Sequence, residues 1–135
     1  MALQRTGGEC QLGVNLRFAI RGVFVWAVAT LILRLLPSDW VDRPHQVFLV
    51  TAAVSGVSLA LGTLWTSRKL PPEARPAAIA AFVVPQMIGD AVVTALFAQA
   101  LPNFSPNHDA VFGALVLWAY AVMLATALFA SRPRR

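Results

Sequence analysis

Asp90 is the residue of this chain whose type and position most demand a chemical explanation. It stands near the middle of a long apolar stretch running from Ala77 to Leu101. A carboxylate at the centre of a membrane-crossing helix costs roughly 2.5–3.5 kcal/mol on insertion scales. It must therefore face protein or water, find a partner, or carry a proton. Gln86 and Thr94 lie four residues to either side and share its helical face. Pro85 removes a backbone donor about one turn below, and Gly89 leaves room beside the carboxyl group. Two roles follow for this polar stripe. One is a proton or cation site in the membrane, with Gln86 and Thr94 lining the path. The other is structural, with Asp90 accepting hydrogen bonds from Ser55, Ser58 or Thr51, or pairing with an arginine. Arg21 and Arg34 sit at opposite ends of the first apolar stretch, and Arg34 lies nearer the depth of Asp90. A pair between Asp90 and Arg34 would be structural and would argue against a freely titrating acid.

A second constellation is thinner. His45 opens the second apolar stretch, and His108 followed by Asp109 opens the fourth. If those helix ends meet, the three side chains could form a shallow metal site. The plainer expectation is solvent contact and capping, since an acid at a helix N-terminus suits the macrodipole. Both histidines lie at helix ends, which is the wrong place for axial haem ligation. The chain has one cysteine, Cys10, so it has no internal disulfide. It carries no glycine-rich phosphate loop, no GxSxG, no HExxH and no paired carboxylates at catalytic spacing. No cofactor is expected, and catalysis is not the expected role.

These residues must be positioned by apolar elements. Hydrophobic residues make up 58% of the 135 and charged residues 13%, with a mean hydropathy of +0.66. Soluble domains are about 45–50% apolar and about 25% charged, so the natural solvent of this chain is lipid, and disorder is excluded. Four apolar stretches stand out, at 17–36, 46–66, 77–101 and 109–130. At 1.5 Å per residue, each can cross a hydrocarbon core of about 30 Å. No alternating strand pattern supports a β-barrel. Short connections carrying Pro37, Pro44, Pro71, Pro72, Pro76, Pro102 and Pro106 separate the stretches. The expectation is a single domain, an all-α up-down bundle of four transmembrane helices. The first stretch is interrupted by arginines and lacks a cleavage site before Pro37, so it is expected to be an uncleaved span. In the second, Ala52, Gly56 and Ala60 recur at four-residue steps, which permits close helix approach within the chain or in a homodimer. In the fourth, Trp118, Tyr120 and Met123 read as core or lipid contacts.

The net charge of +5 comes from ten arginines and Lys69. With the N-terminus inside, Arg5, Arg17, Arg21, Arg68, Lys69, Arg75, Arg132, Arg134 and Arg135 fall on the cytoplasmic side, against Arg34 and Arg43 outside. Both termini are thus expected in the cytoplasm. Basic residues flanking spans need no nucleic acid to explain them. Abundant alanine and near-exclusive use of arginine point to a bacterial inner membrane.

The segment Asp90-Ala91-Val92-Val93-Thr94, followed by Leu96-Phe97, a short loop and Asp109-x-x-Phe112, resembles a family of small four-helix bacterial membrane proteins of unknown function, the DUF5367-like proteins. That family tends to show Asp-Ala-x-x-Thr in its third helix and Asp-Pro-x-Phe-Trp entering the fourth. Here Gly89 stands where leucine usually precedes the acid, a proline before Leu96-Phe97 is missing, and Ala110 and Gly113 replace the later Pro and Trp. The resemblance implies the topology and a role for Asp90, but no activity. Small multidrug transporters share the size and helix number, yet carry their essential acid in the first helix, where this chain has arginines. The expected function is a non-catalytic accessory or scaffold subunit in the lipid bilayer, packing with itself or with a larger membrane complex. The alternatives are an oligomeric proton- or cation-coupled transporter or channel subunit using Asp90, and a membrane enzyme or metal-binding protein using His45, His108 and Asp109.

Overall fold

The computed structural model describes the backbone over residues 3–36 and 46–132, and side chains over 11–36 and 49–132. Among the described residues there is no strand. The helices are α1 (Leu3–Leu35), α2 (Gln46–Ser67), α3 (Arg75–Ala95), the short α4 (Phe97–Ala100) and α5 (Asp109–Ala130). Single 3₁₀ turns, Pro72–Ala74 and Pro106–His108, lead into α3 and α5. Proline opens each of these turns, where its missing N–H costs nothing because the first donors of a helix have no internal partner.

Two boundaries depart from the sequence expectation. α1 extends back to Leu3, well before Arg17. The third apolar stretch is not one helix to Leu101. Leu96 leaves the helical region at φ −112°, ψ 30°, and the chain restarts as α4. Pro85 lies inside α3, which runs on through it despite the lost donor toward Ala81.

The close pairings are α1 with α3, α3 with α5, and α5 with α2. Residue numbers rise together along α1 and α3: Gly22 meets Phe82, Trp26 meets Gly89, and Arg34 meets Ala100. They run in opposite senses along α3 and α5, where Arg75 meets Ala130, Asp90 meets Tyr120, and Phe97 meets Phe112. α3 is therefore the central helix, flanked by α1 and α5, while α2 packs chiefly on α5 and also touches α3. One core joins Phe18, Ala78, Ile79, Val83, Tyr120, Met123 and Ala127, and a second joins Val93, Phe97 and Leu101 near the α4 end. The Phe97 ring packs 5.6 Å from Phe112 and 6.3 Å from Phe104, centroid to centroid.

Glycine permits the α1–α3 approach. A Cβ on Gly22 would drive into the Phe82 carbonyl group, and one on Gly89 would lie 2.7 Å from Cζ2 of Trp26. The small-residue stripe of α2 is used within the chain. The Trp118 indole lies on Gly56 and donates from Nε1 to the Ala52 carbonyl at 2.9 Å.

No more than 28% of any of the four apolar windows is buried inside the fold. Leu12, Phe24, Leu49, Ile88, Leu117 and Phe129 are all more than 60% exposed. Four helices are thus long and apolar enough to cross a membrane, and they turn large apolar side chains outward, where a soluble monomer would place charge. This is a small membrane protein.

Candidate functional site

The fold places two side chains against Asp90, from two different helices. Trp26 of α1 donates its indole N–H to Oδ1 at 2.8 Å. Tyr120 of α5 donates its hydroxyl to Oδ2. The carboxyl group thereby links the central helix to both flanks, with each oxygen occupied. Gly89 makes this possible, because the Trp26 ring lies over the space a larger residue would fill. Tyr120 is buried in the main core beside Met123 and Val83, and its apolar ring and polar tip satisfy both surroundings.

The other members of the predicted stripe bond elsewhere. Thr94 Oγ1 donates to the Asp90 backbone carbonyl at 2.8 Å, and Gln86 Nε2 to the Phe82 carbonyl at 3.0 Å. Both bonds run to their own helix, the local closure open to polar side chains four residues along. Gln86, 8% exposed, also lines a cleft of about 180 Å³ with Ser58, Thr63 and Thr66 of α2 and Val25 of α1.

The alternative pair of Asp90 with Arg34 is not formed. Arg34 follows Trp26 by two turns of α1, which runs parallel to α3, so it arrives at α4. There its guanidinium donates to the Ala100 carbonyl at 3.3 Å. The serine partners are also corrected. α2 packs on α5, away from Asp90; Ser55 donates to the Ala52 carbonyl at 3.2 Å, and Ser58 faces the cleft.

At the α4 end, Asn103 Nδ2 donates to the carbonyls of Leu33 at 2.8 Å and Leu36 at 2.7 Å, closing the open C-terminus of α1. At the opposite end, Arg75 Nη1 donates to the Ala130 carbonyl at 2.9 Å, closing α5 in the same way, and its Nε donates to the Leu70 carbonyl of the α2–α3 connection at 3.2 Å.

For the histidine constellation, His45 lies outside the described residues. His108 and Asp109 adjoin at the start of α5, where Asp109 Oδ1 accepts from the Ala110 amide at 2.6 Å. Among the described residues no three metal-ligating side chains gather.

Neither donor to Asp90 was identified from sequence. Trp26 lies 64 residues and Tyr120 30 residues from the acid, so no local spacing connects them. One signal was available. Trp26, Trp118 and Tyr120 are the aromatic donors well inside apolar stretches, and a buried indole N–H or phenol O–H needs an acceptor. In the structure, Trp118 takes a backbone carbonyl and the other two take the acid.

Residues 43–134 match the sequence profile of a family described as a family of unknown function, DUF5367. No curated protein and no solved structure matches. The matched residues include Asp90 and Tyr120, while Trp26 precedes them.

Proposed function

We propose, for a chain that belongs to DUF5367, a family of unknown function, that it serves as a non-catalytic accessory or scaffold subunit. In this reading four helices cross the bilayer up and down, and Asp90 is the clasp between them. The observation that carries it is the double engagement of Asp90, with one oxygen held from α1 and the other from α5. An acid spent on its neighbours holds helices together. Interhelical hydrogen bonds in membranes contribute about 0.6 kcal/mol on average and up to about 1.7, and two such bonds fix the rotation of α1 and α5 about α3. The charge bias of the termini and the 67–76 connection supports an inner-membrane placement in a bacterium, with both termini cytoplasmic. The outward apolar side chains leave room for a second copy or a larger membrane complex.

A second reading has one observation in its favour. The cleft brings Gln86, Ser58 and Thr63 to the same stretch of α3, one turn from Asp90. In a proton- or cation-coupled transporter this would be the path to the acid. Asp90→Asn separates the two. Asparagine keeps an acceptor for Trp26 but cannot exchange a proton. Under the scaffold reading, the variant folds in mild detergent with the native oligomeric state by native mass spectrometry. Proteoliposomes of the parent chain then show no proton or cation flux above protein-free vesicles. A flux that Asp90→Asn abolishes, with fold and oligomer intact, would overturn the scaffold reading.

A further inference from the structure

Away from α5, the surface of α2 has two faces of opposite character. Val50, Val54, Val57, Leu61 and Leu64 recur at steps of four and three residues and are all exposed. Large apolar side chains suit lipid tails. Thr51, Ser55, Ser58, Gly62 and Thr66 recur at steps of four, three, four and four residues on another face, and each is glycine or carries a hydroxyl. Neither stripe is the one that packs on α5, where Ala52 and Gly56 receive Trp118. Ser58, Gly62 and Thr66 are exposed, and a Cβ on Gly62 would meet nothing within 4 Å. In a membrane, small and hydroxyl-bearing faces serve close helix approach and interhelical hydrogen bonds.

Ser58, Gly62 and Thr66 form one wall of the cleft of about 180 Å³. Val25 of α1 stands opposite, and Ile79, Phe82 and Gln86 of α3 lie between. α1 and α2 are not close partners, so nothing of this chain closes the cleft from the bilayer side. Gln86 is a second and independent sign of an occupant. It is 8% exposed and lines the cleft. Its Nε2 donates to the Phe82 carbonyl, but among the described residues nothing donates to its Oε1. The Ser58 and Thr66 hydroxyls likewise have no acceptor among the described residues. An unsatisfied polar group facing hydrocarbon is costly. One wall of the cleft thus carries spare donors, and its floor a spare acceptor.

We propose that this cleft is the contact between two copies of the chain. α2 of each copy lies in the cleft of the other, the two α2 helices cross at Gly62, and the Ser58 or Thr66 hydroxyl of one copy donates to the Gln86 oxygen of the other. The second copy is the occupant that fits, because a two-fold contact needs a surface complementary to itself, and here spare donors and a spare acceptor occur together. The charge bias gives both copies one orientation. The two-fold axis then runs along the membrane normal, and each residue of the stripe meets its own counterpart at its own depth. The cations at the inner end do not block the contact. Arg68 is held off the stripe, stacked 3.6 Å over Trp65, and Lys69 lies beyond the end of α2, where salt screens it. The inference rests on the scaffold reading, of which it names the face and the partner, and on the chain crossing the bilayer.

The test is cysteine cross-linking of the full chain in membranes of the expressing cell, on a Cys10→Ser background. On oxidation, Ser58→Cys, Gly62→Cys and Thr66→Cys should each give a disulfide-linked dimer. Val57→Cys and Leu64→Cys, on the lipid face, should not. Native mass spectrometry of the parent chain in mild detergent should show a dimer. Gly62→Leu should weaken that dimer by about tenfold or more, with circular dichroism unchanged because the new side chain enters open space. Gly62→Ala keeps the face small and should leave the dimer in place. A monomer, equal cross-linking from both faces, or a dimer that Gly62→Leu leaves intact overturns the proposal. A cross-link from Gly62→Cys to a different protein also overturns it, because the occupant is then a foreign helix. Failure of the scaffold reading shows separately: a dimer whose proteoliposomes carry a flux that Asp90→Asn abolishes keeps this contact and overturns that reading. Alkaline extraction of the same membranes checks insertion.

Discussion

Adding a single methyl group at position 89 should unfasten α1 from the rest of the molecule. A Cβ built on Gly89 would stand 2.7 Å from Cζ2 and 2.8 Å from Nε1 of Trp26, and closer still to Cε2. Carbon atoms rest about 3.5–4.0 Å apart, so the indole must retreat by about an ångström. Its N–H donates to Asp90 over 2.8 Å, and a retreat of that size takes the bond past the limit at which one exists. Overpacking costs about 1–3 kcal/mol, and the lost interhelical bond adds about 0.6–1.7. Gly89→Ala should therefore destabilise the fold by about 2–4 kcal/mol. The helix propensity gained by alanine does not offset this, because in a membrane the separated helices remain helical. The assay is equilibrium unfolding by sodium dodecyl sulfate in mixed micelles, followed by far-ultraviolet circular dichroism and by size exclusion. Gly62→Ala is the matched control, since its Cβ enters open space, and it should change stability by less than about 0.5 kcal/mol. If the two variants unfold alike, Trp26 does not lie on Gly89, and the three-helix clasp at Asp90 is wrong.

Gly22→Ala should be at least as damaging in the same assay, because the obstacle is the Phe82 backbone carbonyl, which cannot swing aside as a side chain can. Tyr120→Phe removes one donor from Asp90 without changing the core volume; it should cost about 1 kcal/mol, and combining it with Trp26→Phe should show non-additive coupling in a double-mutant cycle. Asn103→Ala opens the last carbonyls of α1. It should cost about 1 kcal/mol and raise amide hydrogen exchange in the last turn of α1, while leaving α5 protected. Trp118→Phe breaks the bond from α5 to the Ala52 carbonyl and should loosen α2 alone, read as increased exchange within α2.

Hydropathy and proline placement made the four helices legible in the sequence, because length and polarity alone decide whether a helix can cross lipid. Asp90 was legible for the same reason: a carboxylate in the middle of a long apolar stretch is conspicuous in any helix arrangement. Its partners were not, because they depend on which helices adjoin. Short connections suggest that chain neighbours pack together, yet α1 pairs with α3, and α2 with α5. That arrangement put Trp26 beside the acid and carried Arg34 beyond it to Ala100. The break at Leu96 was also hidden. Leu96 and its neighbours are as apolar as the helix they interrupt, and the chain turns there to seat Phe97 between Phe104 and Phe112. The aromatic and methionine group of the fourth stretch read as core or lipid contacts; Tyr120 and Met123 lie in the core, and Trp118 is half exposed. The hydroxyl of Tyr120 carried the information that reading left unused.

The pairing of α1 with α3 also sets a timetable. A ribosome delivers α1 first and α2 second, and these two are not close partners in the finished protein. Until residues 75–95 emerge, Gly22 and Trp26 have neither the Phe82 carbonyl nor Asp90 to meet. Tyr120, which holds the other oxygen of that acid, arrives later still. The first half of the chain thus waits as two helices that are not close partners of each other. The last helix to be made both completes the grip on Asp90 and gives α2 its main neighbour. Truncation before α5 would therefore release more than one helix, because it strands α2 and leaves Asp90 with one of its two donors.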